Sequence, residues 1–187
     1  MKSPLVVLAL CGSLRRQSFN RALLRHAQQH APEGMRIELH DIADLPLFNE
    51  DLEHPDFPDS VLALHAATRN ADALLLGVPE YNHGPTGVMK NVLDWLSRPG
   101  GESVAVGKPV AMMGAAAGMF GTVRAQLALR PILGAMGMFP MAGNDCWVAK
   151  ANLCFDAEGQ LVDSEAQAAV QRNLNGLLQW TQRLAKD

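Results

Sequence analysis

Residues 5–21 read LVVLALCGSLRRQSFNR, and the change of character inside this stretch decides the fold. Leu5 to Leu10 is an unbroken run of Leu, Val and Ala, as expected of a strand buried on both faces. Gly12 and a polar loop end it. From Ser18 to about His30, Phe19, Ala22, Leu23 and Ala27 recur three or four positions apart, which predicts a helix. Strand, polar loop and helix in that order open an α/β unit with a parallel sheet.

The alternation continues along the chain. Met35 to His40 predicts a second strand, a proline-bearing segment leads to a helix beginning near Asp59, and Ala73 to Val78 is a third, strongly apolar strand. A loop from Glu80 to Pro85 precedes a helix carrying Val88, Val92, Leu93 and Leu96. Val110 to Met113 predicts the fourth strand, Gly114 to Gly121 a loop of small residues, and Val123 to Met136 a helix. A fifth strand is expected within Phe139 to Val148, and Ser164 with Gln167 three positions on reads as a capping box opening the last helix. Five strands alternating with five helices predict one α/β domain over residues 1–187, a doubly wound parallel sheet with helices on both faces. Strand order 2-1-3-4-5 is one of two common solutions, and the pattern does not choose between them.

Composition narrows the function. The 187 residues are 48% hydrophobic and 19% charged, enough apolar material for a core and too little charge for a disordered chain. The formal net charge of −3 disfavours nucleic-acid binding through bulk positive charge. No apolar stretch approaches the ~18 residues of a membrane helix, so no membrane partner is expected. Cys11, Cys146 and Cys154 form no close pair, which fits reduced thiols and a cytoplasmic address, and the apolar start reads as a first strand rather than a signal segment. Cys146 and Cys154 are candidates for exposure. The methionines from Met112 to Met141 read as packing residues rather than a metal site.

In open α/β sheets ligands bind beyond the carboxyl ends of the strands, so the loops after strands one, three and four are the candidate site. From Ser3 to Pro32 there are four arginines and no acid, leaving minus 7 for the rest of the chain. Arg21 stands in the first helical turn, where the macrodipole already presents positive charge and folding alone favours acids. Helix-start N–H groups, the Ser13 and Ser18 hydroxyls, the Asn20 amide and the Arg15 guanidinium suit a phosphate dianion. No G-x-G-x-x-G fingerprint is present, and Gly101 to Lys108 has the wrong length for a P-loop and precedes a strand. The strand ends Leu10-Cys11 and Val78-Pro79 lack the Asp of a phospho-acceptor. A mononucleotide phosphate bound without metal is left. Pro79 and Pro85 fix the backbone of the second loop for a planar ligand, and the third is bare enough for close backbone approach. His83 reads as a surface residue.

Gly12-Ser13-x-Arg15-x-x-Ser18-x-Asn20, Pro79-Glu80-Tyr81-Asn82 and Lys90-Asn91-x-x-Asp94-Trp95, in this order and spacing, resemble the signatures of the NADPH-dependent FMN reductase family, in particular its quinone and chromate reductase branch. The resemblance spans about residues 4 to 180. It implies a flavodoxin-like fold of order 2-1-3-4-5 and noncovalent FMN, its phosphate on Ser13, Arg15, Ser18 and Asn20 beside Phe19. It further implies that Pro79, Glu80, Tyr81 and Asn82 line the isoalloxazine, largely through backbone groups. Lys90, Asn91, Asp94 and Trp95 are implied to serve the third helix and subunit contacts in a homodimer or homotetramer. The family's usual Ser or Thr early in the third loop is replaced here by Gly114-Ala115-Ala116, so contacts around Ala115 and Gly118 are expected from backbone alone.

The expected chemistry is hydride transfer from NAD(P)H to FMN, followed by two-electron reduction of a small acceptor such as a quinone, with no side chain acting as acid or base. Free flavin, azo compounds and chromate are further candidate acceptors. The competing readings are a flavodoxin-type electron carrier without its own NAD(P)H reductase activity, and a binding module without redox chemistry. Carriers of that type have a Thr/Ser-rich phosphate loop and a strongly acidic surface, unlike this arginine-bearing loop and modest net charge.

Overall fold

The computed structural model describes residues 3–185. Strands β1 (Leu5–Cys11), β2 (Met35–His40), β3 (Ala73–Gly77) and β6 (Pro109–Ala115) form a parallel sheet in spatial order β2-β1-β3-β6. The segments β7 (Phe139–Pro140) and β8 (Cys146–Val148) both pair in parallel with β6 and together occupy the fifth position. The expected order 2-1-3-4-5 is therefore the observed one. Helices are α1 (Phe19–Gln29), α2 (Asp59–Asn70), α3 (Gly87–Leu96), α4 (Val123–Ala135), the short α5 (Ala151–Cys154) and α6 (Ser164–Leu184).

Successive residues of a strand face opposite sides of the sheet, and both sides are apolar here. Val7, Ala9, Leu75 and Met113 pack with Leu23, Leu24 and Ala27 of α1 and Val170, Leu174 and Leu177 of α6. Leu8, Leu10, Leu74, Leu76 and Met112 pack on the other side with Val61 and Leu64 of α2, Met89, Val92 and Leu93 of α3, and Leu129 and Leu133 of α4.

Four expectations change. The fifth strand is split because Pro140 lacks a ladder donor, and Gly143 (φ 71°) and Asn144 (φ 50°) turn the chain. Asn173 of α6 then catches the Asn144 carbonyl at 2.7 Å. The last helix is capped by Asp163, whose carboxylate accepts from Ala166 N at 2.8 Å, rather than by Ser164, and Gln167 donates to the Leu161 carbonyl instead of closing a box. The fourth strand runs on through Gly114 and Ala115, so the bare loop begins at Ala116. Glu80 to Pro85 is a hairpin, β4 (Glu80–Tyr81) against β5 (Gly84–Pro85), turning through Asn82 (φ 51°) and His83 (φ 64°).

Candidate functional site at the strand ends

The three loops singled out by the sequence meet. A cavity of about 290 Å³ is lined by Ser13, Arg15, Ser18, Phe19 and Asn20 from the first, Pro79, Glu80 and Tyr81 from the second, and Ala115, Ala116, Ala117 and Gly118 from the third. Asn82 is absent from this lining; it sits at the hairpin tip, where two adjacent left-handed residues make the reversal tight. His83 stands beside it, outside the cavity.

The first loop ends in a helix start that offers donors. Ser18 caps α1, its Oγ accepting from Arg21 N at 3.3 Å. Among the described residues the N–H groups of Phe19 and Asn20 have no acceptor. Ser13 Oγ accepts from Arg15 N at 3.4 Å, and both serines retain a hydroxyl proton to donate. The exposed Arg15 guanidinium lies 5.9 Å from the Phe19 ring centre and donates to the Gln17 carbonyl at 2.5 Å, which leaves further N–H groups of its fork free. Arg21 Nε is buried and unpartnered.

Two expected ligand residues spend their side chains on architecture. Buried Asn20 donates to the Ala115 carbonyl and accepts from the Ala115 N–H, both at 2.9 Å, tying α1 to the end of β6. Glu80, almost wholly buried, accepts from Arg124 N at 3.0 Å and Ala125 N at 3.1 Å and ion-pairs with the Arg124 side chain. It thus caps α4, a helix whose own N-cap Thr122 makes no capping bond. Sequence reasoning missed Arg124 and Thr86. Thr86 Oγ1 donates to the Gly12 carbonyl at 2.7 Å and accepts from Met89 N, fastening the first loop to α3. Its one local signal is a Thr directly before a helical pattern. A Cβ at Gly12 would stand 2.8 Å from Pro79 Cδ, so the first two loops touch because that residue is glycine.

Around α3, Asn91 Nδ2 and Trp95 Nε1 both donate to the Pro46 carbonyl, and Asn91 Oδ1 accepts from Phe48 N. Trp95 is fully buried, so this part of the third motif works inside the chain rather than at a subunit contact. Burial pushes the Cys11 thiol above its ordinary value, against the opposing influence of the Ser13 backbone and Arg21, and Cys11 is inert beneath the first loop. Cys146, a candidate for exposure, is buried in the core, where its thiol is pushed up to about 12; only Cys154 is partly exposed. No helix is long and apolar enough to cross a membrane, and no His/Cys/Asp/Glu cluster could hold a metal, among the described residues.

The sequence pattern of the NADPH-dependent FMN reductases matches residues 5–153. The chain belongs to that family. An NAD(P)H-dependent FMN reductase of Pseudomonas aeruginosa is 44% identical over 98% of the chain and 99% of its own length. A 2-hydroxy-1,4-benzoquinone reductase of Burkholderia is 35% identical over 94% and 96%. The NAD(P)H:acceptor oxidoreductase FerB of Paracoccus denitrificans superposes with a TM-score of 0.87 at 31% identity, covering 95% of this chain and 97% of that one. The chain is accordingly an NAD(P)H-dependent reductase of the FMN/quinone reductase kind, and the carrier and binding-module readings fall away.

The reductase's site fits FMN on its own chemistry. The wall supplied by the first loop gathers hydroxyls, free helix-start N–H groups and a guanidinium, the donor set of a phosphate site. The wall supplied by the third loop is nearly bare backbone: a Cβ at Gly118 would meet nothing within 4 Å, and Ala116 and Ala117 add only methyl groups. A planar ring can approach peptide groups there directly.

Proposed function

We propose that the reductase binds FMN noncovalently in the cavity at the ends of β1, β3 and β6, oxidises NAD(P)H there and reduces quinones or similar small acceptors in the same cleft. Convergence of the three loops on one cavity, the first bringing phosphate donors and the third nearly bare backbone, carries this reading. The bound flavin would supply the two-electron chemistry, taking hydride from the nicotinamide and passing it on.

The chain's residues bind and orient. Ser13, Arg15 and Ser18 hold the phosphate together with the Phe19 and Asn20 N–H groups, while Asn20 fixes the helix that presents them. The peptides of Pro79 to Tyr81 line the isoalloxazine, their hairpin held in place by Glu80 on α4. The N–H groups of Ala117 and Gly118, which have no acceptor among the described residues, would be available to negative charge on the ring, while that of Ala116 is held by the Val148 carbonyl. No side chain need carry a proton. Exposed Met119, Phe120, Leu127 and Trp147 support a homo-oligomer, the dimer or tetramer of the sequence reading.

The test is a titration of the flavin-free protein with FMN followed by anaerobic addition of NADH or NADPH. Saturable binding, bleaching of the flavin absorbance and recovery on adding a quinone are expected. A protein that binds no flavin, or whose flavin neither nicotinamide bleaches, refutes the proposal.

A further inference from the structure

A second cleft adjoins the first. Its volume is about 400 Å³, and it lies between the outer face of α1 and the turn Asp156 to Gln160. Its α1 wall is built at Ser18, Arg21, Ala22, Arg25, His26 and Gln29, the three-and-four spacing of one helix face. The two cavities share Arg15, Ser18 and Phe19, so a ligand can run from one into the other.

Charge sets its chemistry. Arg15, Arg16, Arg21 and Arg25 line the cleft, and none of them joins an ion pair among the described residues. Arg21 and Arg25 stand four apart, a like-charge spacing that weakens a helix, and Arg21 adds charge to the positive end of the helix dipole. The opposite wall contributes two carboxylates, Asp156 and Glu158, against four arginines, and Asp156 is engaged by Gln160 N at 2.7 Å. A flavin phosphate cannot balance this surplus: a phosphomonoester carries about −1.5 to −2 charge, which Arg15 and the α1 N-terminus already meet. Arg16, Arg21 and Arg25 remain over. Ala22 and Ala157 add apolar surface between the charges.

We propose that this arginine-lined cleft along α1 takes the phosphorylated adenosine half of the nicotinamide dinucleotide, with Arg16, Arg21 and Arg25 reading the 2′-phosphate that NADPH carries and NADH lacks. The inference rests on the reductase reading, because the nicotinamide must reach the flavin cavity through the shared junction. It assigns the choice between the two nicotinamides to residues outside the flavin site. The 11 residues of α1 give the cleft a wall of about 16 Å, long enough for a nucleoside diphosphate to lie along it.

The test uses Arg16→Gln and Arg25→Gln, singly and together, at two exposed positions outside the flavin cavity. Losing one charge-assisted phosphate contact corresponds to about ten-fold in affinity, so the double variant should raise KM for NADPH about ten-fold or more. KM for NADH should stay within about two-fold of wild type, and flavin content should not change. Independently of turnover, calorimetry with adenosine 2′,5′-bisphosphate should show binding to both the FMN-loaded and the FMN-free wild type, tighter than 5′-ADP and undisturbed by equimolar inorganic phosphate, and weakened in the variants. Equal effects on NADH and NADPH, affinity no better than that of 5′-ADP or inorganic phosphate, or variants that bind as wild type would each overturn the assignment. The two readings fail separately. A chain without flavin that still loses the bisphosphate in the variants keeps the cleft and loses the reductase mechanism; a flavin-loaded, active chain with unaltered NADPH kinetics does the reverse.

Discussion

Asn20→Ala separates the two jobs that the phosphate motif could assign to this residue. Its side chain makes two buried hydrogen bonds of 2.9 Å to the N–H and C=O of Ala115, linking positions 95 apart in sequence. Alanine removes both partners at once and leaves two backbone groups desolvated without compensation. At ~1–3 kcal/mol for each of the two unsatisfied groups, the loss is about 2–6 kcal/mol, a large share of the ~5–15 kcal/mol that holds a typical domain. With about 2–4 °C of Tm per kcal/mol for a chain of this size, the flavin-free variant should melt about 4–24 °C below wild type. The assay is a circular-dichroism melt without FMN and then with saturating FMN, where the added stabilisation reports the affinity of the folded form. A clamp predicts a large drop without FMN and a smaller FMN-induced rise, because the α1 start is no longer held against β6. If the flavin-free melts coincide within about 1 °C while FMN binding collapses, Asn20 is only a phosphate ligand and the clamp argument is wrong.

The Arg15→Ala variant should behave in the opposite way: among the described residues the exposed guanidinium is held only by the Gln17 carbonyl and the Phe19 ring, so the flavin-free melt should hold while FMN affinity falls at least about ten-fold by fluorescence titration. Gly114→Ala should lower Tm by several degrees or abolish soluble expression, since its Cβ would fall 2.0 Å from Thr122 Oγ1 and 2.4 Å from the Val78 carbonyl, whereas Gly118→Ala, facing open space, should leave the flavin-free Tm unchanged. Burial and the neighbouring His30 lower the His26 pKa from its ordinary 6.5. The unfolded chain therefore takes up this proton at higher pH than the folded one, so the contribution of neutral His26 is present above pH 6.5 and is lost as pH falls below it. Denaturant midpoints from pH 8 to 5 should show the decline, and His26→Gln should flatten part of it.

Local physics made much of the fold readable before any coordinates. The runs at Leu5 to Leu10 and Ala73 to Val78 could only be strands covered on both faces, and Ser18 before a helical period announced the start of α1. The hairpin at Glu80 was harder, because its turn rests on left-handed Asn82 and His83 rather than on an Asn-Gly pair. Asn82 was the available hint, being among the few residues that tolerate this conformation. The split fifth strand depends on Asn173 and Gly176, where a Cβ would lie 2.6 Å from Asn144 Nδ2; neither signal sits near the strand itself.

The candidate site was legible as a set of residues and illegible as a division of labour. Asn20 to Ala115, Glu80 to Arg124 and Thr86 to Gly12 span 95, 44 and 74 residues, distances at which no spacing rule operates. Each of these polar side chains turns away from any ligand to satisfy backbone on another loop. The backbone fixed in this way carries the free N–H groups of the α1 start and the bare peptides of the third loop. Replacing the hydroxyl residues early in that loop with Gly114, Ala115 and Ala116 therefore does not open the site. Ala115 is held through its own peptide by Asn20, and Ala116 through its N–H on the Val148 carbonyl at 3.0 Å. A motif read as ligand contacts is, at Asn20 and Glu80, the frame that aims the main chain. Such a frame fixes where a flavin ring can lie and leaves the choice of electron donor to charges farther along α1.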